Sequence, residues 1–376
     1  MHKHIILLSS CLLSAILSFS ASTAIAAPEN NLTISRIKIK AKNEEERGKR
    51  YDEVVMPYLQ MEKQDIARLI NERIYLGTLE SLPPRNYVQE WREADMDTAS
   101  IAGMDYKLEY QSERLLSMSI AMDGCGAYCE LNHLYFNFDL QTGRHLGLHD
   151  VLQANAKKYL AQQIKAEQTR QYRQQLSTLN AQLKKAQKSK TRKTELDDIE
   201  SRISLNEDCL SQVKTDEHPL QRSVRFLQDK LIVFLGRCSN HAMRALDDVG
   251  DIAVNVSFEN LRPYMNAYGR ALLLNEGVAK ADGWQGQVLH GSLGNNPITM
   301  LIQYSEDKHY TAVYFYDKHR KAIPLSGDMK NNQLEFTETN PDPEGKNYKM
   351  ELKLKDGVLS GVWMGKKNYP MQLQLP

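Results

Sequence analysis

The spacing of hydrophobic residues predicts one helix followed by several strands in the first part of the chain. In the stretch 51–79, isoleucines and leucines recur three or four positions apart as far as Gly77, which predicts a single amphipathic helix that starts after Pro57. Extended segments with alternating apolar and polar residues follow at 106–110, 115–122, 133–140, 223–236 and 251–258. The fourth of these has turn residues in its middle and is predicted to be a hairpin.

Two hydrophobic stripes predict a pair of helices in the stretch 153–215. The first stripe has members four, three, four and three positions apart: Tyr172, Leu176, Leu179, Leu183 and Ala186. The second consists of Leu196, Ile199, Ile203 and Leu210. Because the heptads are few, the pattern favours an intramolecular helical hairpin, inserted into the first domain, over an extended coiled coil.

The last hundred residues, 276–376, have the pattern of a separate all-β domain. Short alternating strands are predicted at 298–304, 310–316, 333–337, 350–354, 358–363 and 371–375. Asp356-Gly357 is a strong signal for a tight hairpin turn. The fold class expected is therefore an α+β N-terminal domain with an inserted helical hairpin, followed by an all-β antiparallel barrel or sandwich.

The first residues have the pattern of an export signal. A short basic start precedes an apolar stretch, and Ala24-Ile25-Ala26 offers small residues for cleavage, so 1–26 is predicted to be a signal peptide and 27–50 a polar lead. Serines and threonines dilute the stretch too much for a transmembrane anchor. Leu8-Ser9-Ser10-Cys11 has the letters of a lipoprotein box, but too few apolar residues precede it. We expect a periplasmic or secreted protein, cleaved near Ala26.

Composition and charge narrow the function further. The 376 residues are 41% hydrophobic, as in a globular protein, and 48 basic residues balance 47 acidic ones, so no overall charge favours nucleic-acid binding. Between Lys157 and Lys193, however, there are eleven basic residues and one acid, Glu167. This basic arm, 157–193, is either a solvated helix face or a contact for an acidic partner or anionic surface.

A resemblance to a known domain rests on residues 138–152, which read Phe-Asp-Leu-Gln-Thr-Gly-Arg-His-Leu-Gly-Leu-His-Asp-Val-Leu. A strand ending in Asp-Leu-x-Thr-Gly, an apolar pair and a helix start resemble an extracytoplasmic domain of unknown function. That domain is shared by the lysozyme-sensing anti-sigma-V factor and the non-catalytic N-terminal part of peptidoglycan deacetylase C. Segments 51–74, 225–235 and 254–265 fit in the same order, so the resemblance implies one domain over 51–272.

The resemblance implies a lysozyme-binding role, with two departures. One is the helical arm 153–215, which is an insertion or expansion of the helix after the Thr-Gly turn. Where the family has a Gly-Gly-Ala-His loop, this chain has Cys-Gly-Ala-Tyr-Cys at 125–129, so no role of that loop is carried over. The C-terminal segment, with Trp284 and Gly286 near its start and Gly361-Val362-Trp363 near its end, resembles a small bacterial β-domain of no established function.

Four cysteines remain after the predicted cleavage: Cys125, Cys129, Cys209 and Cys238. Export favours disulfides, and four cysteines allow three connectivities. If this segment were a helix, one face of it would carry three possible metal ligands, Cys125, Cys129 and His133. The flanking residues predict strands instead. We therefore expect a Cys125–Cys129 disulfide that clamps a hairpin loop, and a second between Cys209 and Cys238.

No catalytic signature is present, and no cofactor or metal is assigned. His145, His149 and Asp150 form the best cluster for chemistry, but Asp150 at a helix start is also explained as a cap or first-turn acid. Candidate binding residues are those of one tyrosine face and of the cysteine loop: Tyr310, Tyr314, Tyr316, Gly126, Tyr128 and His133. The tyrosines are either an exposed aromatic strip or packed inside a barrel.

The function expected is that of an exported, non-enzymatic binding protein of the cell envelope, which engages or inhibits a lysozyme-like peptidoglycan hydrolase. Three alternatives stay open: a periplasmic immunity protein against a delivered toxin, an envelope scaffold, and a cell-wall-modifying enzyme that uses His145, His149 and Asp150.

Overall fold

The computed structural model describes residues 31–40, 53–91, 101–125, 129–189, 191–339, 347–355 and 357–374, and of Cys125 only the backbone. The predicted signal peptide 1–26, most of the lead 27–50, and the loop residues Gly126 and Tyr128 lie outside the described residues.

The N-terminal domain begins with a small sheet and one helix. Its elements are β1 (Thr33–Ile39), β2 (Val55–Gln60), α1 (Gln64–Leu79) and β3 (Glu90–Trp91). β1 pairs antiparallel with β2 and parallel with β3. The helix predicted after Pro57 is present but begins only at Gln64, because Val55, Met56 and Leu59 are buried in a strand that the sequence pattern did not indicate.

A second sheet consists of three long antiparallel strands: β4 (Ile101–Gln111), β5 (Leu115–Cys125) and β6 (Cys129–Asp139). Alternation places Met118, Ile120 and Phe138 on the face that packs with Ile70 and Ile74 of α1 in one core. Cys125 and Cys129 are register partners at the end of β5 and β6, and Cys129 is disulfide-bonded. The Cys125 side chain is not described, so the pairing of these two cysteines stays a prediction.

The helical hairpin and a third sheet complete the domain. The elements are α2 (Leu148–Val151), α3 (Ala156–Lys188), α4 (Lys193–Ser211), β7 (Val224–Phe226), β8 (Lys230–Leu235), β9 (Ile252–Ser257), α5 (Phe258–Leu261) and α6 (Ala267–Leu273). α3 and α4 pack against each other, which confirms the predicted hairpin. The base of α3 joins the core through Leu160 and Ile164, which pack with Val233 and Val254.

The C-terminal domain is a closed antiparallel barrel of eight strands. These are β10 (Val288–Leu293), β11 (Asn296–Ile302), β12 (His309–Tyr316), β13 (Ile323–Lys330), β14 (Gln333–Glu338), β15 (Lys349–Lys355), β16 (Val358–Met364) and β17 (Asn368–Gln374). Pairing of β10 with β17 closes it. At this seam a Cβ on Gly291 would lie 1.8 Å from the Gln372 carbonyl oxygen, so the close approach of the strands requires glycine. The barrel and not the sandwich is the architecture formed.

Two barrel strands, β10 and β13, do not stand out in the sequence. His290, Gly291 and Ser292 interrupt the apolar pattern of β10, and β13 contains Pro324 and Gly327. Their apolar alternation is short, so pairing with neighbours that have strong patterns determines their conformation.

Cys209 at the end of α4 is bonded to Cys238 beyond β8, as predicted. The bond ties the helical hairpin to the third sheet across a sequence separation of 29. Among the helices in the described part of the chain, none has the length and apolar content to cross a membrane.

We expect Cys238→Ser to lower the free energy of unfolding by about 3.5 kcal/mol, because a loop of this size gains chain entropy when the cross-link is removed. Denaturant titration of the variant measures this. Cys209→Ser should give the same loss, and the double variant no larger one. A variant as stable as the wild type would show that the bond adds nothing to folding.

Candidate functional site

Asp150, the acid of the predicted His145–His149–Asp150 cluster, is fixed by its own segment. Its side chain is 1% exposed and one oxygen, Oδ1, accepts from Nε and Nη2 of Arg144 at 3.1 and 2.6 Å. The other oxygen accepts from the backbone N–H of Gly147 at 2.8 Å, in the first turn of α2. Asp150 therefore acts as the first-turn acid of a short helix and as the partner of a buried arginine.

The same segment holds the barrel domain. Arg144 also donates to the backbone carbonyls of Asp282 and Gly283, at 2.9 and 3.0 Å. Gln287 forms a reciprocal pair with the backbone of His145: its Oε1 accepts at 3.0 Å and its Nε2 donates at 2.9 Å. We call this set of contacts between 144–150 and 282–287 the joint.

The two histidines of the cluster are packed into the joint. The ring of His149 stacks on Tyr304 of the barrel domain, with 3.6 Å between ring centroids and 5° between planes. His145 lies edge-on to Phe136 and Phe138. Burial lowers the pKa of both imidazoles, that of His145 well below 6.5, and the nearby Arg73 lowers the His145 pKa further. Both rings are therefore neutral at pH 7, and the geometry they provide is that of packing between domains.

A second contact between the domains is made by α1. Arg73, whose pKa burial lowers to about 10, donates to the Gly286 carbonyl at 3.0 Å, and Glu72 Oε2 lies 2.9 Å from His290 Nε2. Beside these pairs, outward-facing side chains of the barrel pack in an apolar cluster with Leu76 and Leu82: Val288, Leu301 and Phe315. Polar and apolar contacts thus cover one face of the barrel.

A polar cleft opens beside this contact, between α1, the loop after it and the barrel. Its volume is about 610 Å³. On the barrel side, His290 Nδ1 lies 3.4 Å from Thr299 Oγ1, and that hydroxyl donates to Asp317 Oδ1 at 2.9 Å. With Glu72 on the other ring nitrogen of His290, four side chains form one hydrogen-bonded row along the cleft wall.

The predicted tyrosine strip is not a surface. Tyr310 is 3% and Tyr314 1% exposed, and both belong to the barrel core, where Tyr316 packs against it. The Tyr314 hydroxyl donates to Glu338 Oε1 at 2.7 Å. The buried alternative is the one formed, because these tyrosines face the barrel interior and Glu338 satisfies the hydroxyl of Tyr314.

His133, the remaining described candidate of the cysteine loop, is exposed on β6 and stacks near Tyr135, with 6.3 Å between centroids. Near it, at the β5–β6 end of the sheet, is a shallow pocket of about 430 Å³. Leu131, 49% exposed, lines this pocket together with buried Val55 and Met104. We call it the hairpin-end pocket.

The basic arm lies on α3 and the loop that follows it. Three of its members are paired within the described residues: Lys157 with Glu306 of the barrel domain, Arg170 with Glu167, one turn away, and Arg192 with Glu195. The acids of the hairpin concentrate on α4: Glu195, Asp197, Asp198, Glu200, Glu207 and Asp208. A basic helix thus lies beside an acidic one.

Sequence reasoning singled out the joint but not the cleft. His145, His149 and Asp150 are close in sequence and stood out as a cluster, whereas Glu72 and His290 are 218 residues apart. The only sequence signal for the cleft is a histidine within an apolar strand, which a buried structural histidine explains equally well.

We expect Arg144→Met to lower the free energy of unfolding by about 3–5 kcal/mol, because it leaves the Asp150 carboxylate buried without its partner. Adding Asp150→Asn should recover part of the loss, since the amide oxygen still accepts from Gly147. Arg192→Met, which breaks an ion pair with 81% and 52% exposed side chains, is the control and should cost under about 1 kcal/mol. Equal losses in the two arginine variants would contradict the role of the joint.

Stability should fall as the pH drops below about 6.5, because the unfolded chain then binds protons that folded His145 and His149 do not. Each fully titrating histidine contributes a slope of about 1.4 kcal/mol per pH unit. His145→Phe should reduce that slope, measured by denaturant titration from pH 7.5 to 5. An unaltered slope in His145→Phe would place the pH dependence elsewhere.

The structural neighbours of the chain include two DUF3298 family proteins. No protein-family model and no curated protein matches the chain. A member of the DUF3298 family from Bacteroides fragilis NCTC 9343 is 11% identical over 64% of this chain and 94% of its own, with a TM-score of 0.35. A DUF3298 family protein from Pseudomonas aeruginosa PAO1 is 15% identical over 63% of this chain and 94% of its own, with a TM-score of 0.34. The protein is similar to these two at low identity, and inferences about its function rest on its own residues.

Proposed function

We propose that this protein is an exported, non-enzymatic binding protein of the cell envelope, which engages and inhibits a lysozyme-like peptidoglycan hydrolase through the hairpin-end pocket. The predicted export signal and the resemblance of 138–152 to a lysozyme-sensing domain support the compartment and the partner. The hairpin-end pocket supports the choice of binding surface, and it is the observation on which the proposal rests.

The hairpin-end pocket combines an apolar centre with charged surroundings, as protein interfaces do. Leu131 supplies exposed apolar surface, and the buried side chains of Met104 and Val55 lie beside it. The charged lining consists of three carboxylates and one guanidinium: Glu53, Asp105, Asp123 and Arg36. Asp105 is paired with Arg36 and Glu53 with Lys38, so the excess negative charge comes from Asp123. It favours a partner with a basic surface, because complementary charge accelerates association and fixes orientation.

The pocket is held in place before any partner binds. Arg36 forms a two-point ion pair with Asp105, at 3.0 and 3.1 Å, which joins β1 to β4 beside the pocket. At the start of β6, Glu130 lies 2.6 Å from Arg237 and 3.0 Å from His241. A surface fixed in this way loses little conformational entropy on association.

The histidine cluster does not offer an open catalytic group. Asp150 is buried and accepts from Arg144 and Gly147, His149 Nε2 lies 3.1 Å from its Oδ2, and the ring of His149 is covered by Tyr304. These contacts favour a binding role over the enzymatic alternative, in which the same residues would have to reach a substrate.

The basic arm supplies a second surface in this proposal. Lysines on α3 add positive charge along one helix, and such a helix attracts anionic envelope polymers or lipid headgroups at low ionic strength. The acidic α4 beside it limits the attraction to the α3 side.

The test is binding and inhibition of lysozymes and resident peptidoglycan hydrolases by the mature chain, with Leu131→Arg as the variant. A buried charge at the centre of the interface should weaken binding at least about tenfold, which is a change of about 1.4 kcal/mol. Leu354→Arg, on a barrel leucine of similar exposure (40%), is the matched control and should bind as the wild type does.

Failure to bind any lysozyme or resident hydrolase would overturn the proposed function. Binding that Leu131→Arg leaves intact would overturn the assignment to this pocket. Inhibition of a delivered toxin in place of a resident hydrolase would favour the immunity alternative.

A further inference from the structure

We propose that the cleft between the two domains is a binding site for a neutral oligosaccharide. The inference goes beyond the proposed function, because the cleft is lined by residues different from those of the hairpin-end pocket. Its volume of about 610 Å³ is within the range of about 300–1,000 Å³ that is typical of small-ligand sites.

One wall of the cleft offers aromatic surface. Tyr58 and Tyr87 line it with ring centroids 6.1 Å apart and planes tilted by 50°. Tyr87 is 41% exposed although the loop before it, Leu82 to Pro84, is buried against the rest of the protein. Aromatic rings with a polar tip suit a ligand that has both apolar C–H faces and hydroxyl groups, as a sugar ring does.

The opposite wall offers oriented hydrogen-bonding groups. In the row Glu72–His290–Thr299–Asp317, neighbouring side chains lie 2.9–3.4 Å apart, so each is held in one orientation. Glu72 is 7% and Thr299 2% exposed, so these two are part of the fixed wall. A carboxylate has acceptor positions on both oxygens, and Asp317 uses Oδ1 for Thr299, so its carboxylate has further capacity to accept from ligand hydroxyls.

The charge balance decides between classes of ligand. Three carboxylates and three guanidinium groups line the cleft: Asp65, Glu72, Asp317, Arg68, Arg85 and Arg320. This mixture favours neither an anion nor a cation. Within the described residues, no group of three or more histidine, cysteine, aspartate or glutamate side chains is arranged to hold a metal ion. A neutral ligand rich in hydroxyl groups can donate to the carboxylates and accept from the guanidinium groups.

The cleft is also bridged by contacts between domains, so a ligand in it would contact both. Arg320 of the barrel domain donates to the carbonyls of Leu82 and Pro83, at 2.8 and 2.6 Å, and thereby holds the loop that carries Tyr87. Binding to the folded chain would raise its unfolding temperature, and the rise would grow with the logarithm of ligand concentration above Kd.

The experiment is calorimetric titration of the mature chain with two probes, an N-acetylglucosamine tetramer and a glucose tetramer, together with melting curves at about 10 mM of each. Saturable binding of at least one probe, with a rise in melting temperature, is expected. Binding of the N-acetylglucosamine tetramer alone would mark a cell-wall glycan as the source. Absence of binding by both probes would overturn the proposal.

Tyr87→Ala tests the location. We expect this variant to bind the tetramer about tenfold more weakly, because it lacks an aromatic face. The matched control is Tyr369→Ala, because Tyr369 of the barrel is also 41% exposed but does not line the cleft. Equal affinities of the two variants for the tetramer would overturn the assignment of binding to this cleft.

Asp317→Asn adds a second readout, with weaker binding expected because a hydroxyl acceptor is lost while Thr299 keeps a partner. Leu131→Arg should bind the tetramer normally. Loss of hydrolase binding in that variant with saccharide binding retained separates this proposal from the proposed function, so either can fail alone.

Discussion

The buried ion pair between Arg144 and Asp150 fixes how the two domains are joined. An isolated carboxylate at 1% exposure would be strongly unfavourable, so Asp150 requires the guanidinium of Arg144. A guanidinium has five N–H donors, and Arg144 uses two of those that Asp150 leaves over for the carbonyls of Asp282 and Gly283. The segment that opens the barrel domain is therefore held by Arg144, the ion-pair partner of the carboxylate that accepts from a helix start in the first domain.

The cleft follows from that joint. Its walls belong to different domains, so their separation is set by the contacts beside it: Arg73 on Gly286, Glu72 on His290, and Arg320 on the loop at Leu82 and Pro83. The apolar cluster around Phe315 excludes water from the same boundary. The polar pairs fix the relative orientation of the two domains, and burial of the apolar cluster holds the domains together. The row of side chains along the cleft therefore has one geometry without a ligand. The hairpin-end pocket depends on the joint far less, since β1, β2, β4, β5 and β6 all belong to the first domain.

How much the sequence predicts depends on whether a pattern is local. The barrel strands with six or more alternating residues and the helical hairpin are predictable, because burial of one face imposes a period. Which face of a strand is buried is not predictable from this period. Tyr310 and Tyr314 point into the barrel, yet Phe315 on the other face is also fully buried, against the first domain. Alternation distinguishes the two faces of a strand but says nothing about a second domain that covers the outer one. The strand at 55–60 was not predicted for a related reason, since its burial depends on pairing with β1.

The histidines show the same limit at the level of chemistry. His145, His149 and Asp150 have the residue types of a catalytic cluster, and their sequence spacing gives no means of separating catalysis from packing. The structure separates them by what surrounds each group: an imidazole stacked on Tyr304, another among phenylalanines, and a carboxylate with both oxygens engaged. His290, by contrast, has one ring nitrogen toward each domain and lines an open cleft. Access to a ligand therefore distinguishes the two sets, and that access arises only where two domains meet without filling the space between them.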